Sequence, residues 1–349
     1  MNDRFIRACR REPVDATPVW FMRQAGRSFA GYRRLRERYG ILELAKTPEL
    51  CAEVTLMPVR ELGVDAAVMF ADIMLPLEPM GVGLRIEPEI GPIIDHPIRS
   101  AADVDALGDF DAGGVWFTLE AIRIVRQELG SDAGLIGFSG APFTLACYLI
   151  EGRPSRDFAT AKAFMYSEPE AWHRLMTRLS TMVADYLAAQ IEAGAEVVQV
   201  FDSWVGGLGP TDYVAFVQPH MRRIFDTLRD VPSIHFGTGA VALLEAMTSA
   251  GGEVIGVDHR VRLGDAWRRV GYDHAIQGNL DSARPLAGWE ATEAGARALL
   301  GEVADRPGHV FNLGHGVLPG TDPDVLRRLV DLVHIDTSRV HGRRREVLA

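Results

Sequence analysis

The sequence predicts a single (β/α)8 TIM-type barrel, and three observations carry that prediction. Short apolar, β-branched or aromatic runs alternate with longer segments of helical period along the whole chain, the mark of a parallel sheet. Those runs number eight, at 17–22, 64–70, 134–138, 196–202, 233–236, 253–257, 274–278 and 309–313. Eight β/α units in 349 residues suit one closed barrel, with an open doubly wound sheet as the competitor.

The elements follow in order. TPVWFM at 17–22 is the first strand. Thr47, Pro48 and Glu49 supply a capping residue and a proline at the first helical position, which predicts a helix over 47–62. VDAAVMF at 64–70 is strand two. Residues 76–113 then break the alternation, with Pro76, Pro79, Pro88, Pro92 and Pro97 among glycines, and predict a β-hairpin excursion on one rim of the barrel. Gly81-Val82-Gly83 lies within it and runs into Leu84-Arg85-Ile86 without a third glycine opening a helix. It reads as hairpin, not as a dinucleotide fingerprint. Ala133 to Ile150 is free of charge and long enough to suggest a membrane span. Gly137, Ser139, Gly140, Pro142 and Thr144 interrupt it, so it reads as strand, turn and helix. Helical patterns at 116–129, 168–194, 210–229, 240–250, 290–304 and 323–335 complete the alternation. With no linker and no further repeat, residues 1–349 read as one barrel domain.

Composition narrows the function. Hydrophobic residues make up 47% and charged residues 24%, enough for a large core, and the net charge of -10 argues against a polyanion coat such as a nucleic-acid binder. The charge is uneven, however. Residues 1–38 carry ten arginines against Asp3, Glu12, Asp15 and Glu37. Only Lys46 and Lys162 are lysines, and the arginine bias is compatible either with composition alone or with forks for carboxylates, which guanidinium groups match bidentately. Cys9, Cys51 and Cys147 are an odd number at wide spacing, which suggests neither a disulfide framework nor a thiolate metal site. The ten histidines show no ligand spacing. A first segment without the apolar core of a secretory signal completes the expectation of a cytoplasmic protein with no membrane partner.

In a barrel the loops after the carboxyl ends of the strands build the active site. Strand one is followed by Arg23-Gln24-Ala25-Gly26-Arg27, strand two by Asp72, and strand three by Ser139-Gly140-Ala141-Pro142 and then Tyr148. Asp202 and Ser203 follow strand four, Asn279 and Asp281 strand seven, and Gly314-His315-Gly316 strand eight. Arg23 and Arg27 stand four apart and could present two guanidinium forks to one polyanion, although surface ion pairs are the commoner fate of such a pair. Asp72 ends an apolar run, where a carboxylate needs donors or merely caps the next turn. Tyr148 could be core, and His315 sits between two glycines on an unusually bare backbone. Gly137-Phe138-Ser139-Gly140-Ala141 approaches the nucleophile elbow of serine hydrolases, with His315 and Asp202 or Asp281 as partners. It departs at Ala141, and Pro142 stands where the elbow helix should start.

These motifs resemble the uroporphyrinogen decarboxylase family. Pro18 to Arg27 (PVWFMRQAGR) is similar to its amino-terminal signature, and Gly137 to Leu145 (GFSGAPFTL) through Tyr148, Glu151 and Gly152 to its second. Phe70-Ala71-Asp72-Ile73, Phe201-Asp202-Ser203, Gly278-Asn279-Leu280-Asp281 and Asn312-Leu313-Gly314-His315-Gly316 are further matches, so the resemblance spans 18–316. It implies a cofactor-free barrel enzyme, free of metal, usually a cytoplasmic homodimer. The implied reaction removes the four acetate carboxyls of uroporphyrinogen III and gives coproporphyrinogen III. By matching position, Arg23 to Arg27 would bind substrate carboxylates and Asp72 would face the pyrrole NH groups. Tyr148, Ser203 and His315 would complete the contacts, and Phe138 and Phe201 would line the cavity. Departures at Arg153-Pro154 and His259 bear on loop shape. A tetrapyrrole carrier without activity and a corrinoid methyltransferase relative are the other classes on this fold, the second requiring thiolate zinc ligands that the cysteine spacing lacks.

Overall fold

The computed structural model describes residues 3–26, 28–87, 90–228, 230–303 and 306–347, with side chains described through Ser338. Seven parallel strands run in spatial order β1 (Ala66–Val68), β4 (Gly134–Gly140), β5 (Val197–Asp202), β6 (Ser233–Gly237), β7 (Val254–Val257), β8 (Ala275–Leu280) and β9 (His309–Leu313). Between them, β2 (Leu84–Glu87) and β3 (Gly91–Ile94) form the antiparallel hairpin expected after the second run. Helices cover the outer face of the sheet. β4 is buried at every position, the signature of a parallel strand packed on both sides.

The expected first strand, 17–22, is the exception. It makes a single isolated bridge, Val19 to Phe311, and the cause lies in its residues. Pro18 has no N–H to give a ladder, although its carbonyl accepts from Phe311 N–H at 2.9 Å and Trp20 N–H reaches the Phe311 carbonyl at 3.3 Å. On the opposite side the Val19 carbonyl accepts from Asp65 N–H at 2.8 Å, while Val19 N–H turns to the Asp65 carboxylate at 2.7 Å. Segment 18–20 thus spans the gap between β9 and β1 without ladder geometry. The eighth stave is there; a buried side chain replaces half of its pairing. The same Asp65 carboxylate holds Arg4 at 2.8 Å and His334 Nε2 at 2.7 Å, so one acid joins the first helix, the barrel and the last helix.

Local sequence explains the other elements. Pro48 at the first helical position and Gly63 in the left-handed region at φ 70° bracket the helix Pro48–Leu62, one residue from its expected start. The expected helix 210–229 is broken at Val217 into Pro210–Phe216 and Gln218–Thr227, because Pro219 cannot donate to the preceding turn. The charge-free stretch 133–150 resolves into β4 and the helix Pro142–Glu151. Among the described residues no helix is long and apolar enough to cross a membrane. Inside the barrel, Trp20 Nε1 donates to Gln277, and Gln277 donates on to Gln199, each at 3.0 Å.

Candidate active site

A cavity of about 570 Å³ opens at the carboxyl ends of the strands. Its floor is aromatic. Phe138, Phe201 and Phe236 lie toward the carboxyl ends of three neighbouring strands, with ring centroids 5.4 Å (Phe138–Phe201) and 6.0 Å (Phe201–Phe236) apart in edge-to-face contact. Above them the walls bring together Arg23, Asp72, Tyr148, Ser203 and His315, from five different connections. Pro92 of the hairpin also reaches the cavity, so the excursion walls the site as well as decorating the rim.

The segment after the first run positions Arg23 by strain and packing. Its backbone lies in the left-handed region at φ 57°, uncommon for a residue with a side chain. Val317 N–H donates to the Met22 carbonyl at 2.8 Å, which ties this segment to the His315 loop. Gly316 has no side chain for a reason. A Cβ there would stand 2.5 Å from Arg23 Cδ. The Arg23 guanidinium makes no ion pair with a described residue, so the cavity carries an uncommitted cation.

Asp72 lies in the connection after β1, and its Oδ1 accepts from Met74 N–H at 2.9 Å. Burial pushes its carboxyl up from the ordinary value, against the downward pull of that N–H and of Arg23, with Glu78 adding to the rise. A ligand offering donors would stabilise the charge. Burial, aided by the Asp72 charge, also holds the Tyr148 phenol up at about 12, so it stays a donor. His315 is pushed down by burial first and by Arg23 next, so its imidazole is neutral near pH 7. Ser282 Oγ donates to the His315 carbonyl at 3.1 Å and fixes the loop.

The expected residues therefore converge, with two exceptions. Gln24 is fully buried, its amide donating to the Ala66 carbonyl at 2.9 Å and accepting from Phe21 N–H at 3.0 Å, so its side chain braces the segment instead of facing a ligand. Arg27 lies outside the described residues. Ala25 and Gly26 line the cavity. The nucleophile-elbow alternative loses its serine: Ser139 is buried within β4, and its hydroxyl donates to the Gly140 carbonyl at 3.2 Å. Sequence reasoning missed Phe236, although it stands directly beside Phe201 on the neighbouring strand. It also missed Trp204, whose ring lies 4.0 Å from that of Tyr148. Neither Lys46 nor Lys162 lines the cavity, and Lys46 pairs with Glu78 at 2.7 Å.

Residues 1–335 match the family model described as uroporphyrinogen decarboxylase (URO-D). The chain belongs to the uroporphyrinogen decarboxylase family. Relatives named uroporphyrinogen decarboxylase include one from Sorangium cellulosum (strain So ce56), 54% identical over 337 residues that cover 96% of both chains. Another, from Streptomyces coelicolor, is 53% identical over 337 residues, covering 96% of this chain and 95% of its own. Among solved structures, a methyltransferase from Methanosarcina mazei superposes with a TM-score of 0.81 at 20% identity, covering 96% of this chain and 98% of that one. A B12-independent methionine synthase from Shewanella sp. W3-18-1 gives 0.57 at 10% identity, covering 89% and 91%. At those identities the two structures share the fold alone, and the family rests on the sequence matches.

Proposed function

We propose that this chain is a uroporphyrinogen decarboxylase, a carboxy-lyase that converts the four acetate side chains of uroporphyrinogen III to methyl groups and gives coproporphyrinogen III in porphyrin and haem synthesis. The carrying observation is a cavity that sets Asp72 and Arg23 above a floor of three phenylalanines. The family and its relatives supply the reaction class that such a cavity fits.

The chemistry needs an electron sink where the acetate carboxyl leaves. A pyrrole provides it once a ring carbon is protonated: the cation accepts the pair from the breaking C–C bond as carbon dioxide departs. Protonation of the resulting methylene and loss of the ring proton restore the pyrrole, so each step consumes one proton. In this reading Asp72 accepts from the pyrrole NH groups and remains ionised, and its fixed charge stabilises the cation as it develops. Arg23 and Arg27, with the Ala25-Gly26 backbone, hold substrate carboxylates, and Tyr148, Ser203 and neutral His315 donate or accept at the rim. Phe138, Phe201 and Phe236 desolvate the departing carboxylate. No lysine is required for a Schiff base, and none faces the cavity.

We also read the chain as one folding domain, a homodimer as the family resemblance implies, and a cytoplasmic protein. The three free and buried cysteines support the last of these. Sedimentation of the 38.3 kDa chain tests the dimer through a species of twice that mass. Anaerobic incubation with uroporphyrinogen III, followed by chromatography, tests the activity. Stepwise conversion through hepta-, hexa- and pentacarboxyl species to coproporphyrinogen III is expected; binding without loss of any carboxyl would leave a carrier and overturn the assignment.

A further inference from the structure

We infer that Asp202 is a positioning residue that sets the place of Tyr148 in the cavity by capping its helix and anchoring the loop that clamps its ring. The inference rests on the proposed reading of Tyr148 as a substrate contact.

Asp202 ends β5, is fully buried and does not line the cavity, although its neighbours Phe201 and Ser203 do. Its side chain turns instead to the start of the helix Pro142–Glu151. That helix lacks a cap of its own, because Ala141 at the N-cap has no side-chain acceptor. Asp202 supplies one from the neighbouring strand: Oδ1 accepts from Thr144 Oγ1 at 2.9 Å, and the Thr144 N–H points to the same carboxyl. Thr144 Oγ1 in turn accepts from Trp204 N–H at 3.3 Å. A three-member chain therefore links the helix to the loop after β5, running from Trp204 N–H through the Thr144 hydroxyl to Asp202.

Both ends of that chain converge on Tyr148. Tyr148 lies one helical turn beyond Thr144 on the same face. The Trp204 ring lies against the Tyr148 ring at 4.0 Å and 31° and is backed by Phe158, stacked at 4.7 Å and 28°. Tyr148 lines the same cavity as Asp72 and Arg23, and the Asp72 charge helps keep its phenol protonated, so a displaced ring alters the wall they share. The arrangement is costly, which argues against simple packing. Asp202 Oδ2 and the buried Tyr213 hydroxyl have no hydrogen-bond partner among the described residues, and burial lifts the Asp202 carboxyl to about 7.

The test is a double-mutant cycle on anaerobic turnover of uroporphyrinogen III. Asp202→Ala, Asp202→Asn and Thr144→Val are made in the native chain and in a Tyr148→Phe background, and 3-fluorotyrosine is placed at position 148 for 19F NMR. Asp202→Ala and Thr144→Val should each lower kcat on the order of tenfold with KM nearly unchanged, as expected for a misplaced contact. In the Tyr148→Phe background the same changes should cost less than about twofold, because interacting residues are not additive. Asp202→Asn keeps an acceptor for Thr144 and should recover most of the loss. The 19F resonance should shift in Asp202→Ala and return in Asp202→Asn. Losses that multiply in the Tyr148→Phe background, an amide as harmful as alanine, or an unmoved resonance would each overturn the inference. A native chain without turnover overturns the proposed function instead, and the resonance then decides the positioning role alone. Should Asp202→Ala fail to fold, Thr144→Val carries the cycle and the resonance.

Discussion

Gly316→Ala isolates the placement of Arg23 from its charge. The added Cβ would stand 2.5 Å from Arg23 Cδ, 2.8 Å from Cγ and 3.1 Å from Cβ, against an ordinary carbon contact of about 3.5–4.0 Å. The arginine stem must therefore retreat by roughly 1 Å to restore that separation. Backbone movement offers little relief. Arg23 already sits at φ 57°, and the Val317 to Met22 hydrogen bond at 2.8 Å ties the two segments together. A displacement of that size costs on the order of 10²-fold in rate. That is about 2.7 kcal/mol of transition-state stabilisation. The alanine itself is compatible with the backbone, since Gly316 does not lie in the left-handed region, and the group displaced is a flexible side chain at the cavity wall. Steady-state decarboxylation under anaerobic conditions should show kcat/KM reduced by this factor while thermal unfolding stays near that of the native chain. A native kcat/KM in a folded Gly316→Ala variant would refute the reasoning about how Arg23 is held.

Three further outcomes follow from buried ionisable groups. Asp72 acts as a carboxylate and burial raises its pKa in the free enzyme, so kcat/KM should fall with decreasing pH through an apparent pKa above the usual ~3.9; a pH profile whose acid limb lies at or below that value contradicts the burial argument. Burial pushes the His235 and His309 imidazoles down to about 4, so the unfolded chain binds protons that the folded chain refuses between pH ~6.5 and ~4. Stability is complete above that window and falls as pH drops through it, by on the order of 3 kcal/mol for each histidine. Urea midpoints at pH 7.5 and 4.5 check this, and replacement of both histidines by glutamine should flatten the dependence. Finally, Asp65→Ala leaves Arg4, His334 and Val19 N–H without their shared acceptor and should cost about 3–5 kcal/mol of unfolding free energy. Denaturant unfolding measures it; a loss no larger than that of a surface substitution would show that the acid does not join the two ends of the chain.

Residues 309–313 show how much was legible in the sequence: the run HVFNL and the strand β9 share both boundaries, and all five residues are buried. The helix Pro48–Leu62 was legible for another local reason, the capping residue Thr47 followed by a proline at the first helical position. The first run was legible as a position in the barrel and not as a strand, since the decisive partner, the Asp65 side chain, lies 46 residues away from Val19. The hairpin was foreseen, but its strands are Leu84–Glu87 and Gly91–Ile94, and Gly81-Val82-Gly83 only leads into the first of them. Cavity-lining residues were legible where a strand end announces them, as at Asp72, Ser203 and His315. Gln24 shows the limit. Its neighbours in the motif line the cavity, while its own side chain satisfies two backbone groups that only the assembled barrel brings near it. The same holds for Asp202 and Thr144, whose contact crosses from one strand to the next helix.

The arginine excess of the first 38 residues gains a partial account. Arg23 faces the cavity, and Arg4 braces the buried Asp65. Arg36 donates to the Tyr39 carbonyl at 2.6 Å, and Arg38 lies over the Tyr39 ring at 5.4 Å, both on the helix Ala30–Arg38 or its end. Charge at the cavity and structural use coexist in one segment.

The central claim is that the Asp72 carboxylate stabilises positive charge on a pyrrole while carbon dioxide leaves. Asp72→Asn keeps the shape and the acceptor for Met74 N–H but removes the charge. Single-turnover release of labelled carbon dioxide from uroporphyrinogen III with labelled acetate carboxyls, measured alongside binding of the porphyrinogen, tests the claim most directly. The account predicts binding close to that of the native chain and release slower by on the order of 10²–10³-fold, the scale of one lost electrostatic contact in a preorganised site. Release at the native rate by Asp72→Asn would contradict it.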